Sequence, residues 1–303
     1  MKLGIIGGAG LIGSSAAFLA GVQKLVSDIT LVDINKKMLM SHVMDMSIAL
    51  KEYNDVSVKA GEYADLDECD IIIISASLPE RNVKSRNEYL KGNLSIVESI
   101  CTELNKLSSE KIVIMATNPI DVFNYIAWKK LKWNRSKFIG FSYNDSIRLK
   151  WALSKAISID YSGINAMTLG EHGDGQIPLY NKATYHDKLI NPETKQIETA
   201  KQMVSNWFTE YQGLQSGRTT GWTSAVGLVE LVRRIVNNDK THISASAILN
   251  GEYGLTNVSI GVPVMLCENG IEKIESISLE EETIEQLKNT ASKIQRLINS
   301  VGY

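Results

Sequence analysis

Lys2-Leu-Gly-Ile-Ile-Gly-Gly-Ala-Gly-Leu-Ile-Gly13 decides how this chain is read. The apolar start predicts a short buried strand, and residues 14–24 predict a helix. Between them, Gly8, Gly10 and Gly13 spell GxGxxG, while Gly7, Gly10 and Gly13 spell GxxGxxG. Glycine at such spacings lets the backbone turn tightly and lets a pyrophosphate approach the amides that open a helix. Gly8, Gly10, Leu11, Ile12 and Gly13 are therefore the candidate phosphate-binding residues. A second apolar run, Ile29-Thr-Leu-Val-Asp33, ends in an acid 20 residues after Gly13. An acid there accepts hydrogen bonds from adenosine ribose hydroxyls and repels a 2′-phosphate, so the pair of features points to NAD rather than NADP. The structural alternative is a tight strand–helix turn followed by an unrelated strand-end Asp.

Working outward, further strands are expected at 56–59, 70–75, 111–116 and 137–140, with helices at 35–51, 88–107 and 122–131. Ile71-Ile-Ile-Ile74 is apolar throughout, as parallel strands covered on both faces tend to be. Six strands alternating with helices predict an α/β fold with a doubly wound parallel Rossmann sheet. The second half changes character. Helices at 145–157, 196–215, 222–238 and 279–300 are interleaved with strand-like segments at 164–169, 177–180, 242–249, 258–266 and 270–277. These predict a C-terminal α+β substrate domain. The expected division is 1–142 for the dinucleotide domain and 143–303 for the catalytic domain.

The bulk composition narrows the classes. The 303 residues are 44% hydrophobic and 22% charged, ordinary for a soluble globular protein, and the net charge of −2 implies no general attraction to nucleic acid or anionic membranes. No stretch offers the roughly 18 unbroken apolar residues of a membrane helix. The apolar N-terminus is broken by glycines that the dinucleotide turn explains better than a signal peptide does. Cys69, Cys101 and Cys267 are scattered, which gives neither a disulfide framework nor a metal-ligand spacing, and a cytoplasmic setting is expected.

The chemistry lies in three polar sets. Leu169-Gly-Glu-His-Gly-Asp174 puts His172 in a glycine-flanked turn, Asp145 and Arg148 are three apart and share a helix face, and residues 76–87 carry Arg81, Lys84 and Arg86. An Asp–His pair with two arginines suits reduction of a 2-keto acid. The Asp holds one ring nitrogen while the other donates a proton to the keto oxygen. One arginine grips the carboxylate with two prongs, and the second polarises the carbonyl. Singly, each has a plainer reading: a structural turn histidine, a helix ion pair, a solvated loop.

Taken together, the chain resembles the L-lactate and L-malate dehydrogenase family over nearly its whole length. The resemblance rests on Gly8-Ala-Gly-Leu-Ile-Gly13, Asp33, Arg86 seven residues before Asn93, Thr117-Asn-Pro-Ile-Asp121, Asp145-Ser-Ile-Arg148 and Leu169-Gly-Glu-His-Gly-Asp174. It implies that His172 is the acid–base residue, Asp145 its partner, Arg148 the carboxylate grip and Arg86 the carbonyl-polarising lid residue. Asn118 would contact the nicotinamide ribose and the substrate, with a cis bond to Pro119. The family position that reads the substrate side chain, six before the lid arginine, holds Glu80, with Arg81 beside it. An arginine there goes with malate and a glutamine with lactate. Glu80 would repel a second carboxylate, so the expected substrate pair is pyruvate and lactate. Malate dehydrogenase is the alternative if Arg81 points inward, and another 2-hydroxy acid is the third reading. Thr220, or else Thr219, would line the opposite wall. A metal-dependent NAD glycosidase would need a Cys and a second His near Asn118 or His172, which the chain lacks, so no metal is expected. An NAD-binding sensor would need no proton donor. Apolar residues beyond one stripe on the helices at 35–51 and 222–238, together with the resemblance, lead us to expect a homodimer or homotetramer.

Overall fold

The computed structural model describes residues 1–78 and 86–303, without the side chains of 86–89 and 208. The parallel half is built from β1 (Lys2–Ile6), β2 (Asp28–Val32), β3 (Ser57–Ala60), β4 (Ile71–Ile74), β5 (Ile112–Met115) and β6 (Phe138–Gly140). Their order across the sheet is β3-β2-β1-β4-β5-β6, every neighbouring pair parallel. Helices α1 (Leu11–Val22), α2 (Lys36–Ala49), α3 (Arg86–Leu104) and α4 (Ile120–Leu131) connect them. With helices packed on the sheet, all four isoleucines of β4 are fully buried. Strand order reverses between β1 and β4, so the crevice forms beyond their carboxyl ends, at Gly7 and Ser75. The α1 helix begins at Leu11, three residues earlier than the sequence pattern suggests. That puts the amides of Leu11, Ile12 and Gly13 in its first turn.

The second half holds α5 (Tyr143–Ile157), β7 (Ile164–Asn165), β8 (Thr168–Gly170), β9 (Gln176–Pro178), β10 (Thr184–Tyr185) and β11 (Lys188–Leu189). It continues through α6 (Thr194–Gly213), α7 (Gly221–Val236), β12 (His242–Asn250), β13 (Thr256–Cys267), β14 (Gly270–Ile274) and α8 (Glu281–Ser300). Two findings depart from the sequence reading. The strand expected over 164–169 is broken at Ala166 and Met167. Ile164 and Asn165 pair with β10 in a small sheet, whereas Thr168 to Gly170 pair with β9 and, at Gly170, with β13. The short run Ile164-Asn-Ala-Met-Thr-Leu169 does not reveal that the chain changes partners midway. The second departure is that the C-terminal strands extend the first sheet. β12 meets β6 through the antiparallel pair Ser246 and Gly140, so eleven strands of the described residues form one continuous sheet. One hydrophobic cluster runs from Leu3 to Ile298 across both halves. Among the described residues, no helix is long and apolar enough to cross a membrane.

Candidate active site

A groove of about 630 Å³ opens beyond the carboxyl ends of β1 and β4. Gly7, Ala9, Gly10, Leu11, Ile12 and Gly13 form one wall, and Asp33, Ser75 and Thr219 also line it. Gly7 has φ +92°, the left-handed region that favours glycine, which turns the chain sharply as it leaves β1. A Cβ on Gly13 would lie 2.3 Å from the Gly7 carbonyl oxygen, so α1 packs against the turn at a distance only glycine allows. Gly8, by contrast, packs inward, where a Cβ would sit 2.9 Å from the Leu31 Cβ. The N-cap of α1 is Gly10 and makes no side-chain cap, so no side chain competes for the first-turn amides. An anion fits there. The Asp33 carboxylate accepts from the Ala9 amide at 3.0 Å and the Asn35 amide at 2.8 Å. Those bonds aim it across the groove mouth and leave lone pairs on both oxygens for hydroxyl donors. This arrangement suits the phosphates and adenosine ribose of a dinucleotide.

The acid–base cluster forms where α5 meets the turn after β8. His172 Nδ1 lies 2.7 Å from Asp145 Oδ2, and Arg148 Nη1 donates to Asp145 Oδ1 at 3.0 Å. The carboxylate is buried, its side chain 2% exposed, with Arg148 at 10% and His172 at 16%. Burial disfavours the charged imidazole. The charge and hydrogen bond of Asp145, with the charge of Asp121, outweigh that burial and the opposing Arg148, and hold His172 above its ordinary value. Nδ1 is committed to Asp145, so Nε2 is the atom left to exchange a proton with a bound molecule. The Arg148 guanidinium lies 5.4 Å from the Trp207 ring centroid, and burial draws it below its usual range.

Asn118 follows the end of β5, exposed, with a cis peptide bond to Pro119. Its carbonyl accepts from Asn93 Nδ2 at 3.0 Å, and Asn93 Oδ1 accepts from the Leu78 amide at 2.8 Å. Fully buried Asn93 thus ties the ends of β4 and β5 together, a strut whose place the sequence marks only by its spacing from Arg86. Thr220 is the N-cap residue of α7, its hydroxyl 3.5 Å from Ser224 Oγ, whereas Thr219 lines the dinucleotide groove. Arg86 opens α3, its side chain outside the described atoms; Glu80 and Arg81 lie outside the described residues.

Sequence reasoning assigned no role to Asp121 beyond its place in the Asn118 turn. In the structure this residue, 1% exposed, accepts the His172 backbone N–H at 2.8 Å. It therefore joins the Asn118 turn to the His172 turn. Trp207 was likewise unmarked, because one aromatic on an amphipathic helix carries no signal by itself.

Comparisons with known proteins bear on this arrangement. The lactate/malate dehydrogenase NAD-binding domain matches residues 1–140, and the lactate/malate dehydrogenase alpha/beta C-terminal domain matches residues 144–302. The chain is 28% identical to the L-lactate dehydrogenase of Acetivibrio thermocellus, covering 97% of this chain and 95% of that one. It is 30% identical to the malate dehydrogenase of Pyrobaculum aerophilum, covering 97% and 96%. A solved lactate dehydrogenase from a Medee basin deep-sea metagenome library superposes with a TM-score of 0.92 at 27% identity, covering 100% and 99%.

Proposed function

Because the chain belongs to the lactate/malate dehydrogenase family, and so is an NAD-dependent oxidoreductase, we propose that its reaction is the interconversion of a small monocarboxylic 2-keto acid and its L-2-hydroxy acid, with pyruvate and lactate as the reference pair. The observation that carries this reading is the buried Arg148–Asp145–His172 chain, which provides a carboxylate grip and a proton donor side by side. The Gly7–Gly13 turn, the first turn of α1 and Asp33 would hold NADH, which would supply the hydride. In the reductive direction, Arg148 pairs with the substrate carboxylate and orients the keto carbon. The Nε2–H of His172 passes its proton to the carbonyl oxygen, Asp145 stabilising the imidazolium beforehand and keeping Nδ1–H in place. In this assignment Arg86 polarises the carbonyl, and Asn118 contacts both the nicotinamide ribose and the substrate. One hydride and one proton are consumed for each hydroxy acid formed.

Glu80 supports a monocarboxylate, since it would face the second carboxylate of oxaloacetate. Malate is the second reading. It is favoured by Arg81 next door and by relatives bearing both names. We divide the chain at 142/143 into a dinucleotide unit and a catalytic unit, and place it in the cytoplasm with its three thiols free. The exposed face of α2 (Met40, Met44, Ile48) and Trp222 and Val226 of α7 suggest burial against a second copy, as a homodimer or homotetramer. Following NADH absorbance with pyruvate, 2-ketobutyrate, branched longer keto acids and oxaloacetate tests the reading. Turnover of monocarboxylates above oxaloacetate supports it, and the reverse order assigns malate. Binding of NADH with no turnover of any keto acid refutes both.

A further inference from the structure

We propose that Asp121 is a second, backbone-side carboxylate for the acid–base histidine: a positioning residue that fixes the His172 turn and holds the ring in its proton-donating form. The inference rests on the assignment of His172 as proton donor, and it goes beyond that assignment by giving the histidine two acids rather than one. Asp145 takes the ring from α5, through Nδ1. Asp121 takes the main chain from α4, through the His172 N–H.

The surroundings of Asp121 are built for a carboxylate kept on the edge of ionisation. It is 1% exposed, and Oδ1 has no hydrogen-bond partner among the described residues. The Ser246 hydroxyl of β12 lies beside the carboxylate and favours its charged form, but that hydroxyl is also 2.8 Å from Ser259 Oγ of β13. Asn124, one turn along α4, donates to Ser259 Oγ at 2.9 Å and to the Ser246 carbonyl at 3.2 Å. A polar layer thus lies inside the sheet–helix interface directly beneath the His172 turn, where apolar residues would pack without desolvation cost. Burial raises the Asp121 carboxyl to about 6, against the Ser246 hydroxyl, the His172 N–H and the His172 charge, with the Glu171 charge adding to the rise. Besides Asp121, the charged groups acting on His172 among the described residues include Asp145 and Arg148 of α5. Above about pH 6 Asp121 is ionised and adds its charge to that of Asp145. Below it, the group becomes neutral while the backbone bond can persist.

Asp121→Asn separates the two roles, because the amide oxygen can still accept the His172 N–H while the charge is gone. The full chain labelled with carbon-13 histidine has four imidazole signals, and His172→Asn identifies the one belonging to His172. The expected result is that Asp121→Asn lowers the His172 titration midpoint by roughly 0.5–1 pH unit. It should also move the alkaline limb of keto acid reduction down by the same amount, with NADH affinity kept. A purely structural Asp121 would leave both midpoints unmoved, and that result overturns the proposal. The NMR reading needs no turnover, so it stands or falls apart from the substrate assignment. An enzyme that reduces no keto acid but shows the shift would sink the function and leave the Asp121–His172 coupling. If Asp121→Asn does not fold, Ser246→Ala leaves the Asp121–His172 bond in place and should shift the midpoint the same way by less. No shift in that variant also overturns the proposal.

Discussion

Replacing Asp145 by Asn tests the centre of the site. The Asp145 carboxylate is 2% exposed and bonds His172 Nδ1 at 2.7 Å and Arg148 Nη1 at 3.0 Å. Asn keeps the shape and removes the charge. A hydrogen bond to a charged group contributes about 1.5–3 kcal/mol net. The amide can also turn its NH2 toward Nδ1, which keeps that nitrogen unprotonated and so disfavours the imidazolium that donates from Nε2. Loss of transition-state stabilisation should therefore reach about 3–4 kcal/mol, or roughly 100- to 1,000-fold in kcat/KM. The pH behaviour has a definite sign. In the proposed assignment reduction needs protonated His172, whose folded value is raised chiefly by Asp145 against burial. Without that charge the value falls, so the alkaline limb moves to lower pH. The raised value contributes stability that is fully present below the ordinary histidine pKa and is lost as pH rises through the folded one. The stability gap between wild type and variant should accordingly narrow as pH rises through that range, though not vanish. Arg148, 10% exposed, loses its carboxylate at every pH, at a cost of up to about 3–5 kcal/mol. Steady-state NADH oxidation across pH and thermal unfolding at matched pH values measure both effects. A variant within threefold of wild type, with its alkaline limb in place, would refute the assignment of Asp145 as the partner of the acid–base histidine.

Other sites give sharper, narrower outcomes. Gly13→Ala places a Cβ 2.3 Å from the Gly7 carbonyl oxygen, so the turn and α1 must separate. NADH affinity measured by fluorescence titration should fall by roughly 5- to 150-fold, for overpacking of about 1–3 kcal/mol. Asp33→Ser removes the charge that repels a 2′-phosphate, and the ratio of NADH to NADPH efficiency should fall by roughly tenfold or more. An unchanged ratio would mean that Asp33 only ties the Ala9 and Asn35 amides. Met44→Glu with Ile48→Glu charges a face that is 65% and 75% exposed at those positions, at little cost to a monomer. Light scattering should show a smaller species than wild type, and an unaltered mass would remove α2 from the subunit contact.

The parallel half was legible because its signals are local. A glycine turn, an acid at a fixed distance and continuous apolar strands each depend on a few neighbouring residues. Asp145, Arg148 and His172 could be paired on paper because the helix period fixes the first two and the family pattern supplies the third. Asp121 was present in the quoted motif yet carried no assigned role, since its partner is a main-chain N–H 51 residues away. Main-chain donors leave no trace in side-chain patterns. The break of the 164–169 strand stayed hidden for a related reason: pairing partners, not composition, decide where one short strand ends and another begins. Gly8 and Gly7 illustrate the same limit. Two overlapping glycine spacings fit the sequence, and only the positive φ of Gly7 shows which residue makes the turn.

The junction between β6 and β12 sets how far this chain can be treated as interchangeable parts. A single residue pair, Gly140 with Ser246, carries the sheet from one half into the other, and a Cβ on Gly140 would lie 2.5 Å from the Ser246 Cβ. The backbone strut from Asp121 to His172 crosses at the same level. Grafting residues 1–140 from a relative onto this C-terminal half would therefore exchange more than a cofactor platform. The graft would reset the seating of the His172 turn relative to the groove that we propose holds the dinucleotide. Chimaeras should be viable only when the donor preserves both the bare glycine at the seam and the acid three residues beyond the cis proline turn's asparagine.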